Sequence, residues 1–293
     1  MIGNGNYFSI DPDANSLILG HSHSECAFND SLIGYCKNLS QSAESYFYTC
    51  NKLKKIIENN HQVNTVFVEF TNNCLSNKMD DLIWGNQYFS FMFPKYAALM
   101  NTADWKLLFS HNTAAVLKSL PVTLKKNFLF LVKNKTDYSK EMGWGGYLYL
   151  VKAKTNLLAN TMAAPLTSRQ AMASDTAIAN IVYLQKIVEF CKQHTIKLYL
   201  VRSPVSPENP ELSNEAAFEK LARTRFSDVE LLDFKDFPLD KSKFADPQHL
   251  NYKGATIFSL FFNGLLKDGL LNKPDKQQVI NNAMAVRTVM EAT

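Results

Sequence analysis

A chain of 293 residues, 46% hydrophobic and 12% aromatic, can bury a sizeable core in one large domain, or in one domain carrying an insertion. With 31 basic and 27 acidic residues the net charge is +4, too small an excess to point to nucleic acid. The five cysteines (Cys26, Cys36, Cys50, Cys74, Cys191) are odd in number and lack CxxC spacing, which argues against structural zinc and a disulfide framework, and no 18-residue apolar run predicts a membrane span.

Residues 1–13 are polar and Asn/Gly-rich, without the charged-then-apolar order of a signal peptide. A short buried strand is predicted at 16–20 and another at 38–40. Ser42 is a plausible N-cap for a helix whose Tyr46, Cys50, Leu53 and Ile57 recur at helical spacing, with Lys52, Lys54 and Lys55 read as its solvated face. The stretch VNTVFVEF, 63–70, is β-branched and aromatic and predicts the clearest strand of the first half. The rhythm breaks at about 74–165, where aromatics such as Trp84, Phe89, Phe93, Tyr96, Trp105 and Trp144 accumulate around a turn-rich MGWGGY. This segment reads as an insertion with at least one helix, near 103–120.

A long amphipathic helix is expected at 168–194, a strand at 197–201, a helix near 214–224 and a strand at 230–234. The last main helix is expected at about 253–266. This alternation predicts an α/β fold, a three-layer α/β/α sandwich with a mainly parallel sheet, in one domain over 1–293. Sites in such sheets lie beyond the C-terminal strand ends, where 21–24, 71–73, 202–204 and the segment after Phe234 could converge.

The stretch LILGHSHSE, 17–25, allows two chemistries. His21-x-His23 on an extended segment resembles a metal-ligand pair, and GHSH is similar to a metallophosphoesterase motif. That family carries the motif late in the chain, after further His- and Asp-bearing motifs that this sequence lacks, so no metal is expected. The alternative is a nucleophile elbow: a strand, a glycine, then Ser22 at the mouth of a helix with backbone N–H groups nearby. A serine needs a base, and FADPQHLNYKG, 244–254, supplies His249 with Asp246 three residues before it, ahead of an Asn251 N-cap.

GHSHS near the start and DPQHLNYKGA near the end together resemble the first and last blocks of the SGNH/GDSL hydrolase superfamily. That resemblance implies a flavodoxin-like sheet, Ser22 as nucleophile, His249 as base and Asp246 as its orienting partner. It further implies an oxyanion hole from the Ser22 N–H, the N–H of Ala43 (or Ser42) where the family has glycine, and the amide of Asn72 in FTNN, with Asn73 in the position of the family's aspartate. Departures are His21 in place of the usual aspartate before the nucleophile, and Phe70 in place of the third block's glycine.

Each residue also has a plainer reading: Ser22 or Ser24 as a helix cap, His249 as a helix-start histidine, Asp246 as a turn residue beside Pro247. Ser24 fits the elbow spacing less well than Ser22. His23 is a candidate pocket residue and Arg202 a candidate contact for an anionic substrate group. The aromatics of the insertion could form a glycan-stacking platform or acyl-chain wall, or pack their own core.

The reading that results is a serine-dependent esterase or O-acyltransferase acting on acyl esters, with no cofactor. Relatives of this superfamily that acylate envelope glycans suggest a cell-envelope glycan as acceptor, and that setting calls for a signal or anchor upstream of the present chain. The alternative is a non-catalytic glycan- or partner-binding protein that keeps the fold.

Overall fold

The computed structural model describes residues 7–133, 135–151 and 177–292. Five strands form one sheet: β1 (Ser16–Leu19), β2 (Cys36–Asn38), β3 (Thr65–Glu69), β4 (Lys197–Arg202) and β5 (Glu230–Asp233). All neighbours are parallel and the order is β2-β1-β3-β4-β5. The chain steps from β1 to one side and then returns past it, so the strand order reverses between β1 and β3.

Ten helices are described: α1 (Ser22–Ala27), α2 (Tyr46–Ile57), α3 (Lys78–Trp84), α4 (Asn86–Tyr96), α5 (Thr102–Val132), α6 (Tyr138–Met142), α7 (Ile178–Gln193), α8 (Glu215–Arg225), α9 (Tyr252–Lys267) and α10 (Lys276–Ala292). Successive strand residues point to opposite faces, and each face has its own core. Leu17, Leu19, Val66 and Val68 meet Phe47 and Leu53 of α2 and Leu184 and Ile187 of α7. On the other face, Ile18, Phe67 and Val201 meet Phe258 and Phe262 of α9 and Ile280 of α10. Covering both faces is what an all-parallel sheet requires, and the arrangement is compatible with a three-layer α/β/α fold. Among the described residues no helix is long and apolar enough to cross a membrane.

Several boundaries move for identifiable reasons. β2 ends at Asn38 because its side chain turns to accept from the Ser40 N–H. α2 begins at Tyr46 rather than Ser42, since Ala43 sits at φ +63°, a left-handed conformation that no helix continues. α5 extends well past 120, with non-helical backbone at Asn112. The helix expected from 168 is present as α7, and residues 168–176 lie outside the described residues. α10 was not expected; its polar surface hides one anchor, Ile280, and Gln277, which bonds both the N–H and the C=O of Asp233 at the end of β5.

Lys52 also corrects the sequence reading. It is fully buried, not part of a solvated face, and its Nζ donates to Glu44, to the Leu39 carbonyl and to the Trp144 carbonyl. A side chain spaced on the outer arc of α2 became interior because the segment between β3 and β4 covers that arc. The aromatics of that segment pack inward: Trp144 stacks on Phe8 and Tyr96, and Phe89 stacks on Phe93. They join the core of the first sheet face rather than forming an open platform.

Removing one partner of a buried pair leaves the other charge unanswered. Lys52→Met is therefore expected to lower the unfolding free energy by about 3–5 kcal/mol in urea titration, and Glu44→Gln in the same chain to restore part of that loss.

Candidate functional site

Three segments meet at the C-terminal edge of the sheet: the turn after β1, the turn after β3 and the loop before α9. The last is closed by an antiparallel bridge between Phe244 and Leu250. Within it Asp246 Oδ1 accepts from the N–H groups of Gln248 and His249, 2.8 and 2.9 Å, which holds the loop and aims the carboxylate. Asn251 caps α9 by accepting from Lys253 and Gly254, and the Gly254 α-carbon lies so close to the Lys243 carbonyl that an added Cβ would meet it at 2.3 Å.

From this loop His249 Nδ1 lies 2.9 Å from both Asp246 oxygens, and its Nε2 lies 2.8 Å from Ser22 Oγ. Ser22, His249 and Asp246 are thus brought into one chain of hydrogen bonds across 227 residues of sequence. Burial pushes the Asp246 carboxyl up, but the bonds and charge of His249 and the two amides hold it below the usual carboxylate range. Ser24, the weaker nucleophile candidate, is fully buried and its Oγ has no partner among the described residues.

The turn that carries Ser22 is braced from β3. Glu69, at the strand's end and 1% exposed, accepts through Oε2 from the N–H of His21 (3.1 Å) and of Ser24 (2.7 Å). Its Oε1 lies 3.0 Å from His21 Nε2. Gly20 is needed here because a Cβ on it would meet the Glu69 Cβ at 2.3 Å. The carboxylate missing from the residue before the serine is therefore supplied by the neighbouring strand. In the sequence Glu69 is one charge in an apolar run, which is the signal that could have found it.

His21 then stands between Glu69 and the serine. Its Nδ1 lies 2.8 Å from the Ser22 nitrogen, whose N–H it accepts when the ring is neutral, and 3.2 Å from Ser22 Oγ. Asn73 is 2.6 Å from Nε2, and we assign its amide with the oxygen toward that N–H and the nitrogen toward Thr71 Oγ1. Burial opposes charge on His21, but the adjacent Glu69 carboxylate raises its pKa to about 9. Glu69 is held correspondingly low, at about 2, where the His21 charge and hydrogen bonds outweigh burial.

The other sequence candidates fall into different surroundings. His23 is 2% exposed and wedged between two rings, its centroid 5.2 Å from both His21 and His249. Burial pushes its pKa down to about 3, so it is neutral, and its Nδ1 has no partner among the described residues. Glu211, from the Pro210–Asn214 turn, brings Oε2 to 3.9 Å from His23 Nε2, and burial raises its pKa. The Pro-rich loop gave no hint of this carboxylate.

Asn72 is engaged elsewhere. Its Nδ2 donates to Asn214 and Glu215, which uses both hydrogens, and its Oδ1 accepts from Arg202. Arg202 is likewise engaged: Nε and Nη2 go to Asp233, Nη1 to Glu215 and Asn72, and the guanidinium lies over the Phe218 ring. A guanidinium filled by two carboxylates has no open fork for a substrate anion. Ala43 N–H, by contrast, has no acceptor among the described residues, while the adjacent Ser42 is fastened by N–H and hydroxyl to Glu25. Among the described residues no group of His, Cys, Asp and Glu is arranged to hold a metal ion.

One family model, of an uncharacterised family, matches residues 168–271, about a third of the chain, which includes Asp246 and His249 but not Ser22. No curated protein matches the chain.

Two outcomes test this geometry. Ala43→Gly removes the left-handed strain at φ +63° and is expected to raise stability by about 0.5–1 kcal/mol in urea titration. The folded-state pKa of His21 lies above its ordinary 6.5, so its pairing with Glu69 stabilises fully below pH 6.5 and is lost as pH rises through about 9. The stability difference between wild type and Glu69→Gln should accordingly shrink between pH 6.5 and 9.5.

Proposed function

We propose that the chain is an SGNH-type serine enzyme acting on acyl esters, as an esterase or an O-acyltransferase. The observation that carries this reading is the Ser22–His249–Asp246 relay, 2.8 and 2.9 Å, at the strand-order reversal of a parallel sheet.

In this reading Ser22 Oγ attacks the ester carbonyl as its proton passes to His249 Nε2, and Asp246 holds the Nδ1–H and stabilises the imidazolium. Collapse of the tetrahedral intermediate expels the alcohol, which takes the proton from His249 and leaves an acyl-Ser22. Water or a sugar hydroxyl then attacks, giving its proton to His249, and the acyl group leaves as acid or as a new ester while Oγ is reprotonated.

The negative oxygen needs donors. The Ala43 N–H has no acceptor among the described residues, and the Ser22 N–H is released when His21 carries a proton on Nδ1. His21 is thus a positioning residue: protonated, it releases the nucleophile's amide and turns Nδ1–H toward Oγ; neutral, it captures that amide. Asn72 has no place in this version of the oxyanion hole, because its hydrogens serve Asn214 and Glu215. The competing reading, a glycan- or partner-binding protein, draws on the same facts: the Asn72 amide is already bonded, and the Ser22 N–H is bonded too whenever His21 is neutral.

Fluorophosphonate labelling separates the two readings. Ser22→Ala should abolish labelling, Ser24→Ala should retain it, and Asp246→Asn should slow it by roughly 10²- to 10⁴-fold. A folded wild type that does not label favours the binding protein. In a labelling enzyme the rate should fall as pH rises through about 9, where His21 loses its proton, and His21→Asn should erase that limb while leaving Ser22 reactive.

A further inference from the structure

The second part of α5, beyond the break at Asn112, has its polarity inverted. The side turned to the core carries Val116, Ser119, Thr123 and Phe130, all buried, and the two hydroxyls there are ordinary surface groups on most helices. The opposite side carries Leu117, Pro121, Leu124, Phe128 and Leu131, spaced i, i+4, i+7, i+11 and i+14, together with Val132. These side chains stand in solvent: Leu124 is 67% exposed, Phe128 64% and Val132 63%. Isolated exposed apolar residues need no explanation, but a continuous ridge along roughly 22 Å of helix does.

The charge around the ridge is of one sign. Between Asp104 and Asp137 the chain has six lysines and no carboxylate. Lys118, Lys125, Lys126 and Lys133 are exposed, and none forms an ion pair among the described residues. On a helical wheel Lys118 and Lys125 border the apolar ridge along one side, about 80–100° from its centre, while Lys133 and Lys126 lie behind it, nearer the core-facing side.

We propose that this face of α5 lies on an anionic lipid surface. A convex apolar ridge has no groove for a single partner side chain, but it matches the boundary between acyl chains and headgroups, into which an amphipathic helix sinks its apolar side. Lysine stems lie along that boundary while the ammonium groups reach anionic headgroups. A second copy of the chain is disfavoured, because pairing two such faces brings lysines together with no carboxylate to answer them. The helix lies on the surface and does not cross it, which fits the absence of any described helix apolar enough to span. The inference is independent of the chemistry assigned to Ser22.

The test is flotation of the full chain with vesicles of phosphatidylcholine alone or of equimolar phosphatidylcholine and phosphatidylglycerol. Wild type should float with the anionic vesicles, lose binding as salt rises, and ignore the neutral ones. Lys118→Glu/Lys125→Glu and, separately, Leu124→Asp/Phe128→Asp should each weaken partitioning by about tenfold or more, with far-UV circular dichroism unchanged. The altered side chains are exposed, so both variants are expected to fold. Three results would overturn the assignment. One is binding that both variants retain, which puts the contact elsewhere. Another is a vesicle-indifferent wild type that sediments as a dimer and becomes monomeric with Leu124→Asp/Phe128→Asp, which gives the face to a second copy. The third is a vesicle-indifferent monomer, which leaves the face to an acidic protein surface.

Discussion

The carboxylate of Glu69 is the contact on which the site depends. It stands at the end of an otherwise apolar strand, out of water, and collects the His21 N–H, the Ser24 N–H and the His21 ring. Those bonds hold the start of α1 against β3, so the direction of Ser22 is set by sheet register: Leu19 of β1 pairs with Val68, one residue before Glu69. A slip of one residue would turn the carboxylate to the other face and leave the elbow unsupported. The same carboxylate biases the proton on His21, and His21 in turn governs the amide of Ser22. Geometry and protonation around Ser22 therefore share one cause.

A second polar network lies beside the first and has a different task. Arg202 at the end of β4 joins Asp233 at the end of β5, Glu215 at the start of α8 and Asn72 in the turn after β3. Lys235 adds to Glu215, whose carboxyl these bonds hold low, at about 2, against burial. Such a fully bonded cluster in a weakly screened place locks three loops together at the strand ends. Its members have the residue types of an anion site and an oxyanion donor, but bonding consumes them as struts. Residue type in a loop identifies what a side chain can do; the partners already present decide what remains available.

The elements that the sequence revealed are those whose neighbours are local. Strand β3 declares itself by composition and α9 by spacing and its Asn251 cap, and Ser22, Asp246 and His249 are legible because short motifs hold them beside recognisable elements. What escaped depends on contacts far apart in the chain. Lys52 looks solvated until the segment carrying Trp144 covers it, 92 residues later. Glu69 looks like an odd residue in a strand until β1 lies beside it, and Glu211 like a loop charge until its turn folds over His23. Asn72 and Asn73 are adjacent and chemically alike, and only the backbone turn after β3 decides that Asn73 meets the elbow while Asn72 faces Arg202.

The segment between β3 and β4 ties these observations together. It is not an appendage: Gly146 donates to the Ser40 carbonyl, and Lys95 of α4 donates to Gln41 and to the Gly143 carbonyl. Ser40 and Gln41 lead directly into Ala43, whose N–H faces no described acceptor. The left-handed turn at Ala43 is thus held from one side by Glu25 through Ser42 and from the other by the inserted segment. Since α4 packs on α5, the outward ridge and the turn beside the serine belong to one contiguous body. Contiguity alone does not make a signal. A surface on the ridge would change the turn only if it bound two arrangements of these contacts unequally.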